Sequence, residues 1–168
     1  MLVSVVLLDK RVHDRKAFSC DVESLDRYFR ERAASDVKKS VCVCYVLAED
    51  DNPSSVTGYC TLSSASIELT RLPAELQRQL PRYPDVPATL IGRLAVSARH
   101  RGLRFGERLL LDALHRAYEA RHAIGSALVL VDAKDQSAAD FYSQYGFELL
   151  TADRSRLYLP MGTVAQLS

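Results

Sequence analysis

Apolar and polar positions change period several times along the chain, and each change marks an element. LVSVVLLD at residues 2–9 is a short apolar run that predicts an edge or early strand. In residues 18–40, Leu25, Phe29 and Ala33 recur at helical spacing beside Tyr28 and Arg32, which predicts a helix with Asp21 as its N-cap. Residues 41–48, VCVCYVLA, are β-branched and aromatic; EDDNPSS is turn chemistry, and VTGYCTLSSASIEL resumes the strand pattern. Residues 41–69 therefore read as an antiparallel hairpin. PAELQRQL (73–80) predicts a short helix with Pro73 at its first position. ATLIGRLAVS (88–97) reads, apart from Arg93, as a continuous apolar run, as a central strand covered on both faces would.

From Gly106 onward Leu109, Leu110, Ala113, Leu114 and Ala117 form one helical stripe. ALVLVDA (127–133) predicts a buried strand. DQSAADFYSQYG (135–146) predicts a three-turn helix, capped by Asp135 or Ser137 and stopped by Gly146. FELL (147–150) and RLYLPM (156–161) are the last two strands. The fold class expected is α+β, a mixed sheet with helices on both faces.

Composition narrows the function little. With 168 residues one domain is expected, and a net charge of +1 means that any site for a polyanion must be a local patch. The opening run is too short to cross a bilayer, so no membrane partner is expected. Cys20, Cys42, Cys44 and Cys60 form no C-x-x-C array and read as buried, reduced thiols, from which a cytoplasmic location follows. His115, Glu119 and His122 share a polar helix face without a known ligand spacing, and no metal is expected.

The chemistry gathers after the central strand, in SARHRGLRFGERLL (97–110). A strand, a short basic turn and an amphipathic helix offer backbone N–H groups and a positive helix end to an anion. Arg99, Arg101, Arg104 and Arg108 place four guanidiniums near that turn. Neither a Walker sequence nor a dinucleotide fingerprint is present, which disfavours a nucleoside triphosphate or NAD.

This segment resembles motif A of the GNAT N-acetyltransferases, [Q/R]-x-x-G-x-[G/A]. Arg101 matches the first position and Gly106 the last, Gly102 is an additional glycine, and Arg104 stands where the middle glycine is usual. The resemblance implies a mostly antiparallel, twisted sheet whose splayed central strands form an acetyl-CoA cleft. It also implies that amides of Arg101, Gly102, Leu103, Arg104, Gly106 and Glu107 hold the pyrophosphate, while Leu94, Ala95 and Val96 pair with pantetheine. DFYSQYGFELL resembles motif B of the same family, and the resemblance makes Tyr142 the general acid for the departing thiolate.

Segment by segment, nearly the whole chain resembles the GNAT toxins of bacterial type II toxin–antitoxin pairs. One departure is Asp21, where that group commonly has glycine after F-x-C. The resemblance implies acetylation of the α-amine of aminoacyl-tRNA, inhibition by a ribbon-helix-helix antitoxin that contacts operator DNA, and a homodimer. Arg30, Arg32, Lys38, Lys39 and Arg93 are the candidate tRNA patch. The alternatives are a GNAT enzyme acting on a small-molecule or protein amine, and a non-catalytic binding module.

Overall fold

In the computed structural model, which describes residues 1–150 and 155–167, seven strands form one sheet in the order β1-β2-β3-β4-β5-β7-β6. The strands are β1 (Val3–Leu7), β2 (Val43–Glu49), β3 (Val56–Glu68), β4 (Asp85–Val96), β5 (Leu128–Asp132), β6 (Glu148–Leu149) and β7 (Arg156–Pro160). Helices α1 (Glu23–Glu31), α2 (Ala33–Lys38), α3 (Ala74–Arg78), α4 (Phe105–Ala120), α5 (Gln136–Ser143) and α6 (Met161–Leu167) flank it. β1 and β2, β2 and β3, β5 and β7, and β6 and β7 pair antiparallel, whereas β4 and β5 pair parallel from Ala88↔Leu128 to Ile91↔Val131. The fold is the mostly antiparallel α+β sheet that the sequence predicts, with β1 at its edge.

Contacts gather into two units, Met1–Ser63 with Gly92–Ala113, and Ser64–Ile91 with Leu114–Ser168. The first is built on aromatic rings. Phe29 stacks on Tyr59 at 4.4 Å between centroids, and Phe18 stands edge-on to both at 5.2 and 5.6 Å. Gly58 permits a close approach within this unit, since a Cβ there would lie 2.8 Å from Leu109 Cδ1 and 3.0 Å from the Ala95 carbonyl oxygen. The second unit packs Ile67, Leu72, Val86, Leu128, Leu130, Leu150 and Tyr158 together. Across β5 and β7, the Arg156 guanidinium forks onto the Asp132 carboxylate at 2.8 and 3.1 Å.

Several local expectations need correction. Asp21 is not the N-cap of α1: Val22 occupies that position without a side-chain cap bond, and Asp21 has φ 65°, outside the extended conformation that a cap requires. The helix also breaks at Arg32 into α1 and α2, because φ there is −119°. Pro73 caps α3 with ψ 146° instead of entering it. β4 is fully buried only at Val86, Ala88, Ile91 and Ala95, so it is half-covered where continuous burial was expected. FELL contributes a two-residue strand, and α6 follows β7 directly where no helix was expected.

Candidate functional site

The loop after β4 is tied down at its start. Ser97 N–H donates to the Thr57 carbonyl at 2.8 Å, Ala98 N–H to the Ser19 carbonyl at 2.8 Å, and His100 N–H closes a short 3-10 turn on Ser97 at 2.9 Å. Arg101 is extended, Gly102 has φ 81°, and Arg104 has φ 60° immediately before α4. A Cβ on Gly102 would meet no atom within 4 Å, so its positive φ, not crowding, explains the glycine. Arg108 N–H makes the bond to Arg104 at 3.1 Å that starts the helical ladder. The amides of Phe105, Gly106 and Glu107 precede that bond and have no acceptor within the helix. Amides at the positive end of a sixteen-residue helix, with glycine ahead of them, fit a diphosphate.

The four arginines are placed differently from one another. Arg108 donates to the Val3 carbonyl at 2.9 Å, which fixes β1. Arg101 reaches the Cys20 carbonyl and the Asp21 carboxylate, both at 3.2 Å. Arg104 lies 3.6 Å from Glu107 and remains exposed. Arg99 lines a polar cavity of about 200 Å³ with Asp14, Asn52 and Ser97. At the end of β4, Ala95 is buried and Leu94 and Val96 are half-buried.

Tyr142 lies in the second unit, on α5. Asp135 caps this helix, its carboxylate accepting from Ala138 N–H at 2.8 Å, so of the two expected caps it is the aspartate that serves. The helix covers eight residues and ends toward Gly146, whose φ of 95° supplies the expected stop. Tyr142 is 5% exposed, with its ring 5.2 Å from that of Phe141 and 5.6 Å from that of Phe147.

The basic residues divide into two kinds. Arg32, Lys38 and Lys39 are exposed around α2, whereas Arg30 pairs with Glu23 at 3.5 Å. Arg93 on β4 lies over the ring of Tyr28, 3.5 Å from its centroid. Tyr28 in turn donates its hydroxyl to Asp36 at 2.8 Å. Burial above all, then the hydrogen-bonded Cys42 and Asp36, push the Tyr28 phenol well above its ordinary range, so it stays neutral under Arg93. Tyr28 and Asp36 were not singled out from sequence; the helical spacing that marks Tyr28 as a companion of the core does not reveal the partner on β4.

His115 and Glu119 are exposed on α4, whereas His122, expected on the same helix face, lies exposed in the turn beyond the end of the helix at Ala120. Among the described residues no three His, Cys, Asp or Glu side chains come together as a metal site would need, and no helix is long and apolar enough to cross a membrane.

Residues 41–149 match the family model described as acetyltransferase (GNAT) domain. The chain belongs to the GNAT acetyltransferase family. As a GNAT enzyme it is an acetyl-CoA-dependent N-acetyltransferase. It is 34% identical over 167 residues to the probable toxin TacT of Sinorhizobium fredii, covering 95% of this chain and 92% of that protein. With the tRNA-acetylating toxin of Mycobacterium tuberculosis it shares 34% identity over 148 residues, 88% of this chain and 86% of the relative. In fold it is similar to AtaT complexed with acetyl-methionyl-tRNAfMet (TM-score 0.91, 24% identity, 98% of each chain). It is also similar to an AtaT mutant bound to acetyl-CoA and the C-terminus of the antitoxin AtaR (TM-score 0.84, 22% identity, 98% and 97% of the chains).

Proposed function

We propose that this GNAT enzyme acetylates the α-amine of the amino acid on charged tRNA and so stops translation, as the toxin of a toxin–antitoxin pair. The observation that carries this reading is the 34% identity, over 88% of the chain, to a tRNA-acetylating toxin. The exposed Arg32, Lys38 and Lys39, with Arg93, supply cationic surface suited to an RNA backbone.

In this reading the cofactor's pyrophosphate lies on the amides of Arg101 to Glu107, and pantetheine pairs with the backbone of Leu94 to Val96. The neutral α-amine, with an ordinary pKa of about 7.7–8.0, attacks the thioester carbonyl and releases one proton to solvent. The carbon–sulfur bond breaks, Tyr142 gives its phenolic proton to the departing thiolate, and the phenolate regains a proton from solvent, so that no net proton is released. Acetylation removes the nucleophile with which the charged residue would accept the growing peptide. A ribbon-helix-helix antitoxin that carries the operator contacts, a homodimeric enzyme and a cytoplasmic site of action complete the reading.

The test is expression of the protein and of Tyr142→Phe in cells, with tRNA recovered from both. Growth arrest and N-acetylated aminoacyl-tRNA only with the unaltered protein support the reading. Arrest by the variant as well would remove Tyr142 from the chemistry, and arrest without acetylated tRNA would remove the substrate.

A further inference from the structure

Residues 18–21 form a turn whose contacts lead from a buried anchor to the loop after β4. The anchor is Asp26, 4% exposed on α1, whose carboxylate accepts from Cys20 N–H at 2.9 Å and from the Ser19 hydroxyl at 3.2 Å. A buried carboxylate deprived of its donors is costly, so these bonds hold the turn in place. Phe18 holds the other end of the turn within the stacked rings of the core. The turn then holds the loop: the Ser19 carbonyl accepts from Ala98 N–H at 2.8 Å, and Arg101 donates to the Cys20 carbonyl and to the Asp21 carboxylate. Asp21 meets Arg101 from a left-handed conformation, φ 65°, which aspartate adopts more readily than most residues.

We propose that Asp26, the turn at residues 18–21 and Arg101 form a brace that positions the loop for the cofactor's pyrophosphate, with the Arg101 side chain acting in the brace and not as a phosphate ligand. This rests on the reading of the loop as the pyrophosphate site. Amides can grip an anion well only if their directions are set beforehand, and a loop with two left-handed residues needs external ties to keep them set. The Asp21–Arg101 ion pair is exposed and weak taken alone. Its effect comes from sharing a guanidinium with the Cys20 carbonyl, so that three acceptors of one turn hold both ends of residues 98–101. Two roles for Asp21 then predict opposite signs. A carboxylate that merely sits near a diphosphate and competes for Arg101 weakens cofactor binding; a carboxylate that completes the brace strengthens it.

The experiment measures acetyl-CoA affinity calorimetrically in Asp21→Asn, Arg101→Gln and the double variant. Asparagine tolerates the positive φ, so the unfolding midpoint should not move. The brace predicts a dissociation constant raised about two- to tenfold in each single variant, with Asp21→Asn exchanging a charged acceptor for a neutral one and Arg101→Gln, which gives up the donor to both Cys20 and Asp21, at the upper end. It predicts a double variant no worse than Arg101→Gln alone, because losing the Arg101 guanidinium already removes the contact that Asp21→Asn weakens. KM for acetyl-CoA should rise in parallel while kcat holds. Unchanged or tighter binding in Asp21→Asn overturns the brace, as does additive loss in the double variant. Hydrogen exchange separates this from the underlying reading. Protection of amides 102–106 in the unaltered protein on adding acetyl-CoA supports the loop as the site, and its absence overturns both.

Discussion

Asp21 and Arg104 adopt the same left-handed backbone conformation, φ 65° and φ 60°, which glycine alone adopts without cost. For aspartate the cost is small, because its short polar side chain suits the left-handed region. For arginine it is about 1–2 kcal/mol.

Arg104→Gly should therefore relieve strain. Glycine loses about 0.5–1 kcal/mol through its freer unfolded chain, so the net gain in stability is at most about 1.5 kcal/mol. Arg104→Val, branched at Cβ, should destabilise by more than arginine does. Urea unfolding of the three proteins gives the order. Acetyl-CoA affinity should fall moderately in Arg104→Ala and less in Arg104→Gly; unchanged affinity in both would make the side chain a bystander.

Tyr142→Phe should lower kcat by roughly 10²–10⁴ if the phenol is the general acid. The ring stays against Phe141 and Phe147, so stability should change by no more than about 1.5 kcal/mol, the worth of one hydrogen bond. Rates at saturating substrate together with thermal unfolding separate the two effects. A kcat within a factor of a few of the unaltered enzyme would move the proton donor elsewhere.

Much of this was legible in the sequence because burial repeats with a period. The stripe from Leu109 to Ala117 is buried throughout, and β5 is buried over Leu128 to Val131. What was not legible depends on distant contacts. Asp21 satisfies the composition rule for a helix cap, yet its conformation is tied to Arg101, 80 residues on. Tyr28 has the spacing of a core residue, and only the arrival of Arg93 on β4 shows that it also carries a cation. α6 is seven residues long, begins at Met161 directly after β7 and carries no cap signal that could have announced it.

Arg93→Gln should raise KM for charged tRNA and leave KM for acetyl-CoA unchanged, because its guanidinium rests on Tyr28 and takes no part in the loop's contacts. Removing a cation from over a ring costs about 0.5–2 kcal/mol, so stability also falls. Lys38→Gln with Lys39→Gln should reduce the salt dependence of tRNA binding, by a slope of up to about one for each phosphate that a lysine no longer neutralises. Filter binding over a salt series measures this. An unchanged slope would remove α2 from the RNA footprint.

His13 gives the fold a pH dependence. It is 7% exposed, and its Nδ1 accepts from Asp9 N–H at 3.0 Å, which requires a neutral ring. Burial above all holds its pKa below the ordinary 6.5, with the Asp9 carboxylate pulling the other way. In the unfolded chain the group titrates near its ordinary value of about 6.5, so between the two values the unfolded state binds more protons and stability rises with pH. This contribution is complete above the unfolded pKa and is lost as pH falls through the folded one. The melting temperature should therefore decline as pH falls below about 6.5, and the decline should be smaller in His13→Gln. Parallel profiles for the two proteins would show that His13 does not set it.

The central claim is the acceptor. The purified enzyme should be given acetyl-CoA labelled in the acetyl group, with charged tRNA, the same tRNA deacylated, a free amino acid amide and a lysine-rich protein in separate reactions. The account predicts label on charged tRNA only, released by mild alkali as an N-acetyl amino acid. Label on the amide or the protein, with none on charged tRNA, would contradict it.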